Sequence, residues 1–267
     1  MSEKQVVVVT GASSGFGRLA ADRLVEDGFD VIGTSRNPEA SAENFEMLTL
    51  DVTSDESVET FVSQLKERYA RIDVLINNAG QSHNSLLEET TLEDARQIFE
   101  TNFWGMVRMN QAVLPLMREQ GSGLIVTIGS LAGLVGTPGQ GFYGAAKHAV
   151  EGYTESLRAE LGPLPVEVAL IEPGFFRTKL GDSMVRNANA ISDYDSVREL
   201  VAGKLDEAFA GGGDPAEVVE AIVKTISEGG RKLRCLVGSD ARTITRLKRW
   251  LPESWFLDGL RKQFGLK

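Results

Sequence analysis

Val6-Val7-Val8-Val9 runs straight into Thr10-Gly11-Ala12-Ser13-Ser14-Gly15-Phe16-Gly17. Four β-branched residues without polar alternation read as a strand buried on both faces, as interior strands of parallel sheets are. The glycines make a tight turn. From Phe16 to Asp27, Leu19, Ala20, Leu24 and Val25 recur at helical spacing, and Asp30 to Ser35, with Val31 and Ile32, reads as a second strand. Strand, glycine turn, helix and strand form a β-α-β unit, whose right-handed crossover makes the two strands parallel.

Outward from this unit the rhythm continues. It predicts a strand at Met47 to Leu50, a helix from Asp55 to Tyr69, a strand at Val74 to Ile76 and a long helix ending near Met117. A strand at Leu124 to Ile128, a helix at Phe142 to Leu161, and strands at Val166 to Ile171 and Leu233 to Val237 complete the series. Such alternation predicts an α/β chain, residues 1–267 as a single domain, with one doubly wound parallel sheet and helices on both faces. Two segments break the pattern. Residues 175–213 lack a clear strand, carry Arg186-Asn187-Ala188-Asn189, end in Gly211-Gly212-Gly213, and read as a mobile insertion covering the substrate. Residues 241–267 form a basic C-terminal extension with seven Lys or Arg against two acids, +5 there and -15 on the rest of a chain whose total is -10. Its Ile244, Leu247 and Leu251 lie at helical spacing, with Trp250, Trp255 and Phe256 nearby. A basic amphipathic helix can lie on an anionic membrane surface; packing on the chain's own acidic body is the favoured expectation.

Composition narrows the partners. The chain has 267 residues, 42% hydrophobic and 25% charged, near the averages for a globular protein. A net charge of -10 repels phosphate backbones, so nucleic acid is excluded as a partner. No apolar run reaches the roughly 18 residues of a membrane helix. The single Cys235 cannot form an internal disulfide, and Met1-Ser2-Glu3-Lys4 does not open a cleavable signal, so a cytoplasmic location is expected. Two histidines far apart and no Cys-His cluster give no metal site.

The glycine turn admits two chemistries. Free N–H groups and the dipole at the start of a helix attract phosphate, and glycines allow close backbone approach. The spacing is G-x-x-x-G-x-G, without the G-K-[ST] of an ATP-type loop. The same residues, Gly11-Ala12-Ser13-Ser14-Gly15, also match the G-x-S-x-G nucleophile elbow of serine hydrolases. That chemistry needs a downstream acid and histidine, and only His83 and His148 are present, neither well placed.

A second constellation lies downstream. Tyr143 and Lys147 sit at i and i+4, one helical turn apart on one face. A free phenol has a pKa of about 10, so a tyrosine that trades protons near neutrality needs positive charge beside it. Ser130 follows the strand Leu124 to Ile128, at the carboxyl end where open parallel sheets bind ligands. Asn77-Asn78-Ala79-Gly80 ends the preceding strand, and Asn102-Phe103-Trp104-Gly105 lies in the helix that follows it.

With these elements the sequence resembles the short-chain dehydrogenase/reductase family. The resemblance runs from Val6 to about Val237, in family order: Thr10-Gly11-x-x-x-Gly15-x-Gly17, Asp51-Val52, Asn77-Asn78-Ala79-Gly80, Asn102, Ser130, Tyr143-x-x-x-Lys147 and Pro173-Gly174. It implies a Rossmann-type sheet with Tyr143 as general acid or base and Ser130 positioning the carbonyl or alcohol oxygen. Lys147 would bind the nicotinamide ribose and lower the tyrosine pKa. Asn102 would complete a water-linked proton relay through Lys147; a helix-bending or purely hydrogen-bonded Asn102 is the structural alternative. Gly11, Ser13, Ser14, Gly15, Phe16 and Gly17 would line the dinucleotide phosphates. Asp51 and Val52 would flank adenine, and Asn78, Ala79 and Gly80 the adenosine ribose. Pro173 and Gly174 would turn the chain beside nicotinamide, with Phe176 and Thr178 near the carboxamide.

At the end of the second strand stand Ser35 and Arg36, where an NAD-preferring site places an acid. A guanidinium pairs with a 2'-phosphate and stacks on adenine, so NADP(H) is the expected cofactor in preference to NAD(H). The expected reaction is hydride transfer between nicotinamide and a small-molecule carbonyl or alcohol. Leu131, Leu134, Val135, Phe142, Phe175 and Phe176 would make an apolar pocket if they face inward; the chain from Asn102 to Leu161 and the basic tail resemble the steroid and retinol dehydrogenase-like branch, which implies a bulky apolar alcohol or ketone. Two other classes stay open: an NADP(H)-binding sensor or scaffold without turnover, and a dehydratase or epimerase. The resemblance also implies a homodimer or homotetramer.

Overall fold

The structure, a computed structural model, describes residues 4–38, 44–177 and 189–266. Seven parallel strands lie in the order β3-β2-β1-β4-β5-β6-β7. They are β1 (Val6–Val9), β2 (Asp30–Ser35), β3 (Glu46–Thr49), β4 (Val74–Asn77), β5 (Gly123–Ile128), β6 (Val166–Pro173) and β7 (Arg234–Val237). The β-branched run of β1 is buried throughout, because it pairs with β2 on one side and β4 on the other. Its alternate residues feed two cores. Val6 and Val8 pack with Phe61, Leu65, Met109 and Val113 on one face, while Val7 and Val9 pack with Ala20, Leu24, Val218 and Ile222 on the other.

The helices over the first face are α2 (Asp55–Arg68), α4 (Gly105–Glu119) and α5 (Gly141–Leu161). Over the second face lie α1 (Gly15–Glu26) and α7 (Ala216–Ser227). Between β4 and β5 the sequence predicts one long helix, but the structure contains α3 (Leu92–Phe99) joined to α4 by a π-helical turn at Glu100–Trp104. π turns carry one extra residue and mark functional positions. The segment expected to be an irregular insertion is partly helical: among its described residues, α6 (Asp195–Ala210) follows a short 3-10 turn at Ser192–Tyr194. Its residues 178–188, including most of Arg186 to Asn189, lie outside the described residues.

The C-terminal extension folds as α8 (Ser239–Trp250) and α9 (Glu253–Gln263), separated at Pro252. Inner side chains Ala241, Ile244 and Phe256 pack against Leu131, Leu134 and Val135, and Leu260 and Phe264 pack against Val201 and Leu205 of α6. The extension therefore rests on the body through apolar contacts, with Trp250 and Trp255 facing outward. No helix among the described residues is long and apolar enough to cross a membrane.

Candidate active site

The strand order reverses between β1 and β4, so the chain leaves these two strands in opposite directions and opens a crevice at their carboxyl ends. A cavity of about 1030 Å³ occupies it, running from Ser35 and Arg36 past the glycine turn to Ser130, Tyr143 and Lys147. Two glycines explain the shape of the turn. Gly11, at φ +67°, approaches the Ala79 backbone so closely that a Cβ would lie 2.9 Å from Ala79 Cα. Gly17 packs α1 onto Asn78, whose Nδ2 would be 2.3 Å from any Cβ there. Thr10 ties the two crevice walls together: its Oγ1 accepts from Asn78 N and Ala79 N, both at 3.0 Å. Asn78 Nδ2 in turn donates to Thr10 O at 2.9 Å and Gly11 O at 3.1 Å.

At the far end Arg36 is exposed on the cavity rim. Burial pushes the Asp51 carboxyl up, but two hydrogen bonds from Thr53 and the charges of Arg36 and Arg108 leave it below its ordinary value. An ionised Asp51 thus lines the same end, beside buried Val52.

Near the other end Ser130, Tyr143 and Lys147 come together. Ser130 follows β5 and caps a 3-10 turn, its Oγ accepting from Ala132 N at 3.1 Å. Tyr143 and Lys147 stand one turn apart on α5 and are both buried. Burial holds the Tyr143 phenol above its ordinary value, and its hydrogen bond with Ser130 works in the opposite direction. The lowering expected from Lys147 does not prevail here, because that ammonium donates to Ile128 O at 2.8 Å and lies 5.9 Å from the tyrosine ring centre. Burial lowers Lys147 to about 8, with the Glu151 charge pushing it back up.

Asn102 sits inside the π turn. Its Nδ2 donates to Ile98 O and Gln81 O, each at 3.0 Å, and its Oδ1 accepts from Gln81 N at 3.1 Å. The side chain therefore stitches the irregular turn to the loop after β4. A void of about 10 Å³ is lined by both Asn102 and Lys147, at the lower bound of the space one water requires.

Pro173 and Gly174 also border the cavity, but Phe176 turns its ring into the core, 5.9 Å from the Phe16 ring. Thr178 lies outside the described residues. Of the expected pocket residues, Leu131, Phe175 and Phe176 line the cavity. Leu134 and Val135 instead pack under the C-terminal helices, and Phe142 packs against the cluster around Ile98. Ser13 has no histidine partner among the described residues: His148 Nδ1 bonds Gly144 O at 2.8 Å along its own helix, and His83 is buried.

Several residues act here without any sequence signal. Asp240 of α8 accepts from Phe175 N at 2.7 Å and fills the space beside Gly174, whose Cβ would lie 2.1 Å from Asp240 Oδ1. Glu89, buried beneath α6, accepts from Ile191 N at 2.8 Å and pairs with Arg198. Phe209 of α6 stacks edge-on with Phe175 at 5.1 Å and lines the cavity with Gln140. Each partner is distant in sequence, so no local pattern connects them.

Residues 5–189 match the family described as short chain dehydrogenase. The chain is 39% identical over 272 positions to 3-ketodihydrosphingosine reductase of Bacteroides thetaiotaomicron, spanning 99% of this chain and 100% of that one. A short-chain dehydrogenase structure from Streptomyces avermitilis aligns with TM-score 0.82 at 34% identity, over 99% of this chain and 96% of that one. A short chain dehydrogenase/reductase from Burkholderia phymatum in complex with NAD also gives TM-score 0.82, at 25% identity over 92% of this chain and 93% of that one.

Proposed function

Since the chain belongs to the short-chain dehydrogenase family, we propose that it interconverts an alcohol and its ketone or aldehyde with NADP(H) in preference to NAD(H), on a bulky apolar substrate. The carrying observation is the meeting of Ser130, Tyr143 and Lys147 on one wall of a cavity of about 1030 Å³ that reaches Arg36 at its other end. The cradle fits a dinucleotide. Gly15, at φ +58°, has open space where a Cβ would stand, so backbone N–H groups at the start of α1 are accessible to phosphate. Arg36 offers a guanidinium to a 2'-phosphate, and Ser35 lies beside it on the cavity wall. Lys147 would hold the nicotinamide ribose, and Pro173 and Gly174 would border the ring.

Bound there, the nicotinamide supplies or accepts the hydride. Tyr143 delivers the proton to the substrate oxygen during reduction and removes it during oxidation. Ser130 donates to the same oxygen as negative charge develops, so two hydroxyl groups already in contact stabilise it without reorganising. Lys147, one helical turn from the phenol, would favour its ionised form against the burial that raises it. Asn102 anchors the loop after β4, and one water in the void it shares with Lys147 would exchange protons with that ammonium.

Leu131, Ala132, Phe175 and Phe209 give the substrate end apolar walls. The Bacteroides relative is named for a ketone carried on a long-chain base, which supports the same substrate class. NADPH consumption against bulky ketones, long-chain 3-keto compounds, steroids, retinal and small aldehydes tests the reading. Turnover of large apolar ketones, faster with NADPH than NADH, is expected. Saturable NADPH binding with no turnover across that panel would favour a cofactor sensor instead.

A further inference from the structure

Beneath the proton-handling residues lies a buried acid pair with no part in the reaction as described. Glu151 stands one helical turn beyond Lys147 on α5, and Glu172 is the residue of β6 immediately before Pro173. Their relative exposures are 6% and 0%. They meet under Gly129, the residue before Ser130: a Cβ there would lie 3.4 Å from Glu172 Cγ and 3.5 Å from Glu151 Oε1. Arg234 of β7 places Nε 2.9 Å from Glu151 Oε2 and 3.4 Å from Glu172 Oε1, and its Nη2 pairs with Glu155. Glu151 Oε1 and both Glu172 oxygens lack a hydrogen-bond partner among the described residues.

The charges do not balance if every acid is ionised. Glu151 and Glu155 of α5 and Glu172 of β6 face one guanidinium from β7 and one ammonium, Lys147, from α5, with Gly129, just after β5, packed over the two buried acids. Cys235 of β7 is a further titratable neighbour, and it feels Glu172 as well as Arg242, Lys224 and Lys232. Two adjacent buried carboxyls cannot both ionise cheaply, so one keeps its proton. Arg234 makes its hydrogen bond to Glu151, which places the charge there and the proton on Glu172. In agreement, burial and the neighbouring Glu151 push Glu172 up to about 9.

We infer that Glu151 and Glu172 hold one proton between them and act as positioning residues, the Glu151 charge keeping Lys147 cationic from behind while the neutral Glu172 lets the strand bearing Pro173 and Gly174 pack against it. The inference rests on the proposed role of Lys147. Its consequence is a division of labour within α5. Tyr143, Lys147 and Glu151 recur every fourth residue, so one helix face carries the proton donor, the cation beside it and the anion that sustains that cation.

The test uses the full chain with 13C-labelled lysine, following Lys147 by NMR against pH beside the pH profile of kcat/KM. Glu151→Gln should lower the Lys147 midpoint, and the pH at which activity falls on the alkaline side, by about one unit. Glu172→Gln copies the protonated acid and should leave the Lys147 midpoint in place. A Lys147 midpoint unmoved in Glu151→Gln, with folding verified by circular dichroism, would overturn the inference. So would a shift in Glu172→Gln alone, which would put the charge on the other acid. Should Glu151→Gln lose its fold, Glu151→Thr serves, removing the charge with a smaller side chain and lowering the midpoint likewise; an unmoved midpoint there would overturn the inference. The NMR titration requires no turnover, so inactivity of the wild-type chain counts against the proposed reaction and not against the acid pair.

Discussion

At Tyr143 two requirements coincide: a ring that fills the cluster with Ile98 and Ala146, and an oxygen that touches Ser130. Tyr143→Phe separates them. The variant should keep its thermal midpoint and its NADPH affinity, read by fluorescence titration, while turnover falls about 10²- to 10⁴-fold; turnover near wild type would remove the phenol from the reaction. Arg36 presents the opposite case, an exposed residue with no packing to lose. Arg36→Asp should change the NADPH to NADH ratio of kcat/KM by about 10- to 100-fold toward NADH, as loss of a charge-assisted phosphate contact does. An unchanged ratio would exclude it from phosphate recognition. Both residues were readable because their meaning is local: a strand end, or a spacing of four within one helix. Asp240 was not, because its partner Phe175 N lies 65 positions away and only the sheet brings them together.

Strands and helices announced themselves where burial is complete. Val6 to Val9 and the strand at β5 are nearly continuous apolar runs because both their faces are covered. α6 is different: its buried residues are Val201 and Leu205, so its apolar stripe is short and the segment reads as an insertion. The π turn was equally hidden, since one added residue leaves the apolar spacing on either side almost unchanged. Besides the apolar contacts of Val201 and Leu205, α6 is held by Glu89, whose carboxyl the hydrogen bonds from Arg198 and Ile191 keep below its ordinary value despite burial. A depressed carboxyl contributes stability above its unfolded value and loses it as pH falls through the folded one. The clasp should therefore persist across neutral pH and open only in acid, below the usual glutamate value of about 4.3. Amide exchange in residues 195–210 reads this directly. Arg198→Ala should produce the same faster exchange at pH 7 and raise KM for a large ketone several-fold; unchanged exchange would show that α6 is held by its apolar contacts alone.

Across the whole molecule, the C-terminal helices support two elements that border the site, the turn after Ser130 and α6. Ala241, Ile244 and Phe256 press on the turn after Ser130, Asp240 holds the chain after Gly174, and Phe264 sits against α6. Removing residues 239–267 should lower the thermal midpoint by several degrees, as uncovering apolar surface does. Turnover should fall more than NADPH affinity, because the supported elements lie at the end of the cavity proposed for nicotinamide and substrate. Equal loss of both, or of neither, would contradict that placement. The basic character of this extension was legible, as was its amphipathic spacing; its double duty was not, because both surfaces it supports are assembled from elsewhere in the chain.

The strand order also sets a timetable for synthesis. β1 is made first and lies inside the sheet, so the nascent chain enlarges its sheet on both sides of its oldest strand, ending with β7 at residues 234–237. From residue 173, where the eight-residue β6 ends, to residue 234, the outer edge of the longest strand waits for its neighbour. At about 5–20 residues per second that wait is on the order of several seconds. An open edge of that length is a template for pairing with other chains. On the ribosome, the chain is thus most exposed to misassembly between the synthesis of residue 173 and that of residue 234, and a chaperone that shields strand edges would improve its yield during that interval.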